Sequence, residues 1–390
     1  ALGGAAATYP RVVERLRSTS DSTTRTEQER PAGVTAGVGG PRRPLGGLPG
    51  PTDVLTAGGR HTCAISQTSR GYCWGANERG QLGDGGPLSG RRTPVAVAAA
   101  LDFTAIASGF AHTCALTRLG DVYCWGANSR GQLGDATTVR RNAPVRVAGS
   151  GEFTVLSAGA AHTCAASVDG AVRCWGANDQ GQLGDGTRAG RVIPTVVRLD
   201  APVTRIAAGG QHTCAVTTGG SLYCWGANTD GQLGTGAVGP GSPTPQRVAV
   251  GDTVAAVAAG LSHTCALTVA GRVSCWGRDD SGQLGDDGRA SRSRPVWVQL
   301  GPGRRATAVA TGAAHTCALE ASGGLWCWGR NTRGAVGDGS ETSRATPHLV
   351  RLPAPATAIA AGTAHTCAST VANATLCWGD NLDGQLGDGT

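Results

Sequence analysis

The tripeptide His-Thr-Cys occurs seven times in this 390-residue chain, beginning at His61, His112, His162, His212, His263, His315 and His365. The steps between successive copies are 51, 50, 50, 51, 52 and 50 residues. Ten residues after each of these cysteines comes a second one, always followed by Trp-Gly. The rule uses all 14 cysteines: Cys63 with Cys73, Cys114 with Cys124, Cys164 with Cys174, Cys214 with Cys224, Cys265 with Cys275, Cys317 with Cys327, and Cys367 with Cys377. A length that would otherwise suggest two or three domains therefore describes one array of seven units.

Each unit reads as four short extended segments. In the second unit these are the apolar run 103–107, the run His112–Thr117, the run 121–125, and a stretch around Pro144-Val-Arg-Val reached through a Gly-rich loop. Turn signals recur every eight to twelve residues, and no helical period is sustained. The expected fold is all-β, a seven-bladed β-propeller of four-stranded blades. The blades fall at about 52–100, 101–149, 150–200, 201–250, 251–301, 302–353 and 354–390. The last unit stops at Thr390, before its fourth segment, and residues 41–51 resemble that segment. An N-terminal strand is therefore expected to complete the last blade and close the ring, making 41–390 one propeller. Residues 1–40 lie outside the repeat and read as a flexible leader or linker. The chain starts at Ala1 without Met, which suggests that an upstream segment was removed.

The spacing of each cysteine pair places it on a hairpin. In the second unit Cys114 and Cys124 have their midpoint at Leu119, so residue 117 faces 121 across the loop Arg118-Leu119-Gly120. Such a loop needs a left-handed residue at its third position. Gly fills it at 120, 170, 220, 271 and 323, Ser69 in the first unit and Asn373 in the last. This register sets the two cysteines directly opposite each other, within disulfide reach. Seven disulfides within blades are expected, each worth roughly 2–3 kcal/mol on the chain-entropy model. They imply an oxidising compartment: secreted, periplasmic or at the cell surface. The competing assignment is a metal site, because His112, Cys114 and Cys124, and their equivalents, share one sheet face. No tight ligand spacing supports it, and the expectation is no metal and no cofactor.

Composition removes several functions. All 34 basic residues are Arg, so a P-loop lysine and a Schiff-base lysine are absent. No stretch of 18 apolar residues could span a membrane as a helix. The net charge of +7 is diffuse and argues against nucleic acid. No His-Glu-x-x-His or Gly-x-Ser-x-Gly occurs, and a nearly sevenfold chain is poorly suited to an asymmetric catalytic site.

Two further patterns read as structural. The Trp of Cys-Trp-Gly, at 74, 125, 175, 225, 276, 328 and 378, is expected to pack between blades. A loop Asp at 84, 135, 185, 286 and 338 accompanies an Arg at 91, 141, 191, 292 and 344. Both are lost in the fourth unit, where Thr235 and Ser242 stand instead, so an ion pair bracing each loop is expected. Calcium binding by these Asp-Gly loops is the alternative, though their carboxylates are thinly spaced.

The unit Gly-x-x-His-Thr-Cys-Ala-Leu, Tyr-Cys-Trp-Gly-Ala-Asn and Gly-Gln-Leu-Gly-Asp-Gly resembles the regulator of chromosome condensation repeat family from about residue 41 to 390. The resemblance implies a seven-bladed propeller. Chromosomal members exchange nucleotide on a small GTPase and touch nucleosomes, but the paired cysteines depart from intracellular members. A light-sensing plant member uses Trp within Gly-Trp-Arg-His-Thr, and no unit here has Trp before His-Thr. A secreted bacterial relative grips an enzyme with the loops of one propeller face, which suggests a bacterial, secreted member here by analogy of fold.

The expected function is a disulfide-stabilised scaffold that binds a protein or a glycan through rim loops. Candidate contacts are the residues that vary between units: Arg60, Phe110, Gln211 and Leu261 before His-Thr, and Glu78, Arg79, Arg130, Gln180, Asp230 and Arg333 after Trp-Gly. The two sets are expected on different faces. Trp297 and Trp326 break the repeat and are further candidates. The alternatives are an enzyme or metal protein using the His/Cys layer, and a structural subunit that self-assembles.

Overall fold

The computed structural model describes residues 52–149 and 151–390. These form 27 strands in seven antiparallel sheets. The second blade is typical: Phe103–Ser108, His112–Thr117, Val122–Gly126 and Arg141–Arg146, hydrogen-bonded in chain order. First strands of neighbouring blades touch one another, so each sheet meanders outward from a common axis. This is the seven-bladed propeller that the repeat predicts. The seventh sheet has three described strands, Ala356–Ala361, His365–Thr370 and Thr375–Gly379. The segment expected to complete it, 41–51, lies outside the described residues, as does the 1–40 leader.

The ring closes through the described residues themselves. Thr363 N–H donates to the Gly58 carbonyl at 3.1 Å, and Gly389 N–H to Arg92 at 2.9 Å. Trp74, Ala64, Cys367, Cys377 and Leu386 form the apolar seal between first and last blades.

Each central hairpin has the register read from its spacing. Cys114 faces Cys124 and Leu116 faces Val122, and Thr117 N–H donates to Asp121 across the turn at 2.9 Å. The third loop position is left-handed throughout, with φ of 80° at Gly120, 61° at Ser69 and 58° at Asn373.

All seven cysteine pairs are disulfides. Cys63 is bonded to Cys73, Cys114 to Cys124, Cys164 to Cys174 and Cys214 to Cys224. Cys265 is bonded to Cys275, Cys317 to Cys327 and Cys367 to Cys377. Their Cα atoms lie 4.0–4.1 Å apart. No cysteine is free, so the metal alternative is corrected on this point: Cys73, Cys174, Cys224, Cys275, Cys327 and the other sulfurs are not available as thiolate ligands. Among the described residues no group of three His, Cys, Asp or Glu side chains is placed to hold a metal ion.

One carbonyl joins each blade to the next. The Gln81 carbonyl of the first blade accepts from the Thr113 hydroxyl at 2.8 Å and from the Trp125 indole at 2.9 Å, both in the second blade. The same pair of hydrogen bonds recurs at Gln132, Gln182, Gln232, Gln283, Ala335 and Gln385. The seven Trp rings are buried. They approach so closely that a Cβ on Gly83 would lie 2.6 Å from the Trp125 nitrogen.

The repeated His completes this junction. His61 Nε2 is 2.8 Å from the Thr113 hydroxyl, and the series runs unbroken to His365 on Thr62. Because each Thr donates its proton to a carbonyl, it must accept from His, so the ring nitrogen Nε2 carries the hydrogen. Nδ1 of His61, His112, His162, His212, His263 and His365 has no partner, consistent with a neutral imidazole. Burial depresses these histidines to about 3 or 4, and neighbouring ring histidines add to the effect at His61, His162, His263 and His365.

Two outcomes follow from the junction. Thr113→Val leaves the His61 N–H buried without an acceptor and should cost about 2–3 kcal/mol in chemical denaturation, while Thr113→Ser should recover most of it. Histidines depressed in the folded state make stability complete above pH 6.5 and progressively lost as pH falls toward 4, where the unfolded chain takes up more protons. With up to seven protons involved the slope reaches roughly 9 kcal/mol per pH unit. Circular dichroism should therefore show steep cooperative acid unfolding between pH 6.5 and 4, with intact disulfides. A shallow decline would contradict the neutral state of the buried histidines.

Candidate functional site

Antiparallel pairing decides where the variable residues lie. The second strand of a blade begins where the third ends, with His61 opposite Gly75. Residues just before His-Thr and just after Trp-Gly therefore emerge at the same end of the propeller. The expectation that the two sets occupy different faces is corrected by this geometry. Ala76 N–H donates to the Arg60 carbonyl at 2.8 Å, and the Arg60 guanidinium meets Glu78 at 3.6 Å.

This face is stitched across blade boundaries by charge. Arg60 also meets Asp383 of the seventh blade at 3.1 Å. Arg130 meets Asp179 of the third blade at 3.3 Å, and Arg333 approaches Asp380 at 3.8 Å. Burial pushes the Asp383 carboxyl up; Arg60 opposes that, while Glu78 and Asp380 reinforce it. Arg79, Gln180 and Asp230 stand at the equivalent loop position, where their backbone N–H donates to the Gln side chain two residues on.

At the centre of the same face lies an opening of about 140 Å³. Its wall repeats Ala57, Ser108, Ala158, Ala208, Ala259, Thr311 and Ala361, each followed by Gly. Small side chains are required where seven strands converge. Gly58 is enforced as well, because a Cβ there would meet the His61 ring and the Gly109 carbonyl. Among the described residues the only large side chains at the mouth are Phe110 and Leu261, each about half exposed. None of these lining residues carries a carboxylate, imidazole or guanidinium. The seven ring histidines lie buried behind this wall, each bonded to the next blade, so the His layer offers no accessible base.

The Gly-rich loops that carry this face have their own brace. Asn178 accepts the Leu183 N–H at 2.9 Å and donates to Asp185 at 3.2 Å and to the Thr187 and Ala189 carbonyls at 3.0 Å. Asp185 in turn holds Arg191 at 2.7 Å. The predicted Asp–Arg pair is present in the first, second, third, fifth and sixth blades, at 2.6–2.9 Å. In the fourth blade, which lacks both residues, the outer strand lengthens to Gly239–Val248 and pairs as far as Asn228. Extra ladder there replaces the ion pair.

Trp297 and Trp326 are not brought to this face. Trp297 sits opposite Ser274 on an outermost strand, near the hairpin-turn end, with the Arg272 guanidinium stacked 3.5 Å from its ring. Trp326 is partly buried against the core between fifth and sixth blades, under Arg304 at 4.1 Å. Repeat-breaking alone could not separate these two from rim contacts. Sequence reasoning also missed the acidic partners Asp179, Asp380 and Asp383, which acquire meaning only across a blade boundary.

The class defined by this architecture is a propeller of about 50-residue, Gly-Gln-Leu-Gly-bearing repeats. Residues 156–390 match the family model described as RCC1-like domain, and stretches within 55–166 match the regulator of chromosome condensation (RCC1) repeat. The chain belongs to this family. It is 37% identical over 109 residues to the ultraviolet-B receptor UVR8 of Arabidopsis thaliana, covering 28% of this chain and 25% of that protein. It is 31% identical over 298 residues to the human E3 ubiquitin-protein ligase HERC2, covering 76% of this chain and 5% of that protein. The chain spans a quarter or less of these relatives. Among solved structures, human WBSCR16 superposes with a TM-score of 0.73 at 24% identity, covering 85% of this chain and 87% of that one. Prp20p of Saccharomyces cerevisiae, described with its binding to Gsp1p and histones, gives 0.72 at 24% identity, covering 85% and 83%. Both likenesses establish the fold.

The loop brace has a direct consequence. Asp185→Asn removes the charge that holds Arg191 and should cost about 1–2 kcal/mol and open the 185–194 loop to limited proteolysis. Arg60→Ala, on an exposed pair, should change the melting temperature little.

Proposed function

We propose that this protein is an extracytoplasmic scaffold that docks another protein on the face bearing the central opening. The observation that carries the reading is the contrast between a uniform wall and a non-uniform rim. Seven near-identical blades present Ala, Ser, Thr and Gly around the axis, and among the described residues only Phe110 and Leu261 rise from that ring as large exposed apolar side chains. Around them stands a charged margin of Arg60, Glu78, Arg79, Arg130, Asp230 and Arg333. An apolar centre within a polar rim is the anatomy of a protein interface.

The fold relatives point the same way, since Prp20p is described as binding Gsp1p and histones. Here the partner differs, because the seven buried disulfides and the lack of any free cysteine favour a periplasmic, secreted or surface setting. No helix among the described residues is long and apolar enough to cross a membrane. Gln211 and Gln180 supply the remaining polar contacts of the margin.

Affinity capture from the native extracellular or periplasmic fraction tests this. The double variant Phe110→Asp/Leu261→Asp should reduce recovery of the captured protein at least tenfold. The control Leu119→Asp/Val269→Asp, which alters exposed hairpin turns at the opposite end, should retain it. Equal loss from both variants, or from neither, removes the face from consideration.

A further inference from the structure

The Asn that organises each rim loop is present as Asn77, Asn128, Asn178, Asn228, Asn331 and Asn381, but the fifth blade has Asp279. This side chain is wholly buried. Its Oδ1 does what the Asn oxygen does elsewhere, accepting the Leu284 N–H at 2.9 Å. The other atom is the anomaly. In the sixth blade the Asn331 amide donates to Asp338 at 3.0 Å and to the Ser340 and Thr342 carbonyls at 2.9 and 3.2 Å. That position is a nest of acceptors, built for N–H. Asp279 puts an oxygen, Oδ2, into the corresponding place, and it has no partner.

An ionised oxygen among acceptors is repelled by each of them. A proton or a cation would relieve it, and charge balance sets the proton apart from a divalent cation. In the other braced loops a neutral Asn, an Asp and an Arg sum to zero. Asp286 in the fifth blade is already paired with Arg292 at 2.8 Å, so a neutral carboxyl at 279 restores that sum, with the shape of the amide it replaces. A divalent cation would leave the buried loop with excess positive charge. We propose that Asp279 is a proton-binding site, donating the held proton from Oδ2 to the Asp286 carboxylate and so closing the fifth blade's rim loop.

The surrounding charges agree. Burial raises the Asp279 carboxyl to about 7; the Leu284 N–H and Arg292 oppose this, and Asp286 adds to it. The remaining charged groups nearby are engaged elsewhere. Asp280 holds Arg278 at 2.6 Å, Arg289 reaches the Ser343 carbonyl, and Arg330 of the next blade reaches the Ser281 hydroxyl. Arg344 is committed to Asp338, and Asp287 is exposed. The loop also abuts the candidate docking face, since Arg278 N–H donates to the Ser262 carbonyl beside Leu261. The proton site does not depend on that face having a partner.

The sign of the effect is fixed. With the loop closed Asp279 titrates near 7, and with it open near the ordinary value of 3.8. The closed form binds more protons between these limits, so opening becomes easier as pH rises, by roughly tenfold per pH unit, and levels off above 7. Amide hydrogen exchange on the intact protein reads this at Leu284. Leu183, bonded to Asn178 in the equivalent position, supplies an internal reference that cancels the intrinsic pH dependence of exchange. The protection of Leu284 relative to Leu183 should fall roughly fiftyfold from pH 5 to 7 in the wild type. In Asp279→Asn, which installs the residue of the other blades, the ratio should not change. A flat ratio in the wild type, or the same fall in the variant, would overturn the proposal. So would restoration of Leu284 protection at pH 8 by calcium chloride or sodium chloride, which would assign the nest to a cation.

Discussion

The structure depends on one carbonyl repeated around a circle. The main-chain oxygen of the Gln in Gly-Gln-Leu-Gly accepts two hydrogen bonds from the next blade, one from a Thr hydroxyl and one from a Trp indole. That double acceptance obliges Thr to accept from His, which places the hydrogen on Nε2, while burial keeps the imidazole neutral. Each blade thus holds its neighbour by three buried hydrogen bonds around a buried indole. The disulfides act on a different link, the hairpin inside each blade. The Trp/Thr/His junction builds the ring, while sulfur limits how far any one module can come apart. Ala335 serves as well as Gln at this position because the bond is to the backbone.

Much of this was legible in the residues alone. Spacing paired every cysteine, placed the left-handed residue at Gly120, Ser69 and Asn373, and set the number of blades. The joint loss of Asp and Arg at Thr235 and Ser242 revealed an ion pair because a repeat contains its own controls. The faces were misjudged because positions before His-Thr and after Trp-Gly are well separated along the chain. Antiparallel pairing brings them together, as with Arg60 and Glu78. Trp297 and Trp326 show the opposite failure. Both depart from the repeat, yet each departure is accommodated locally, by an Arg laid across the ring. Asp279 was visible as a break in Trp-Gly-x-Asn, but its meaning needed the fold of the loop, which sets its carboxyl beside that of Asp286.

A nearly symmetric scaffold limits where chemistry can be placed. Around the axis the wall is small and uniform because seven inner strands leave no room for anything else. Distinctiveness is pushed outward, to Phe110 and Leu261 at the mouth and to charged loops that differ from blade to blade. The blades are therefore interchangeable as architecture and individual as surface. Asp279 adds a second kind of individuality, a buried departure whose effect reaches the surface only through the state of its loop.

The direction of the His–Thr chain has a consequence for biosynthesis. Six of its links join blades that emerge consecutively, but the seventh joins His365 to Thr62 across 303 residues. Until the last module is made, Trp74 has no carbonyl to meet and the flank of the first blade stays bare. A chain made from its N-terminus must keep that sticky edge unattended for nearly the whole of its synthesis. The late arrival of the final module, more than the stability of any single one, sets when the molecule is safe from association with its own copies.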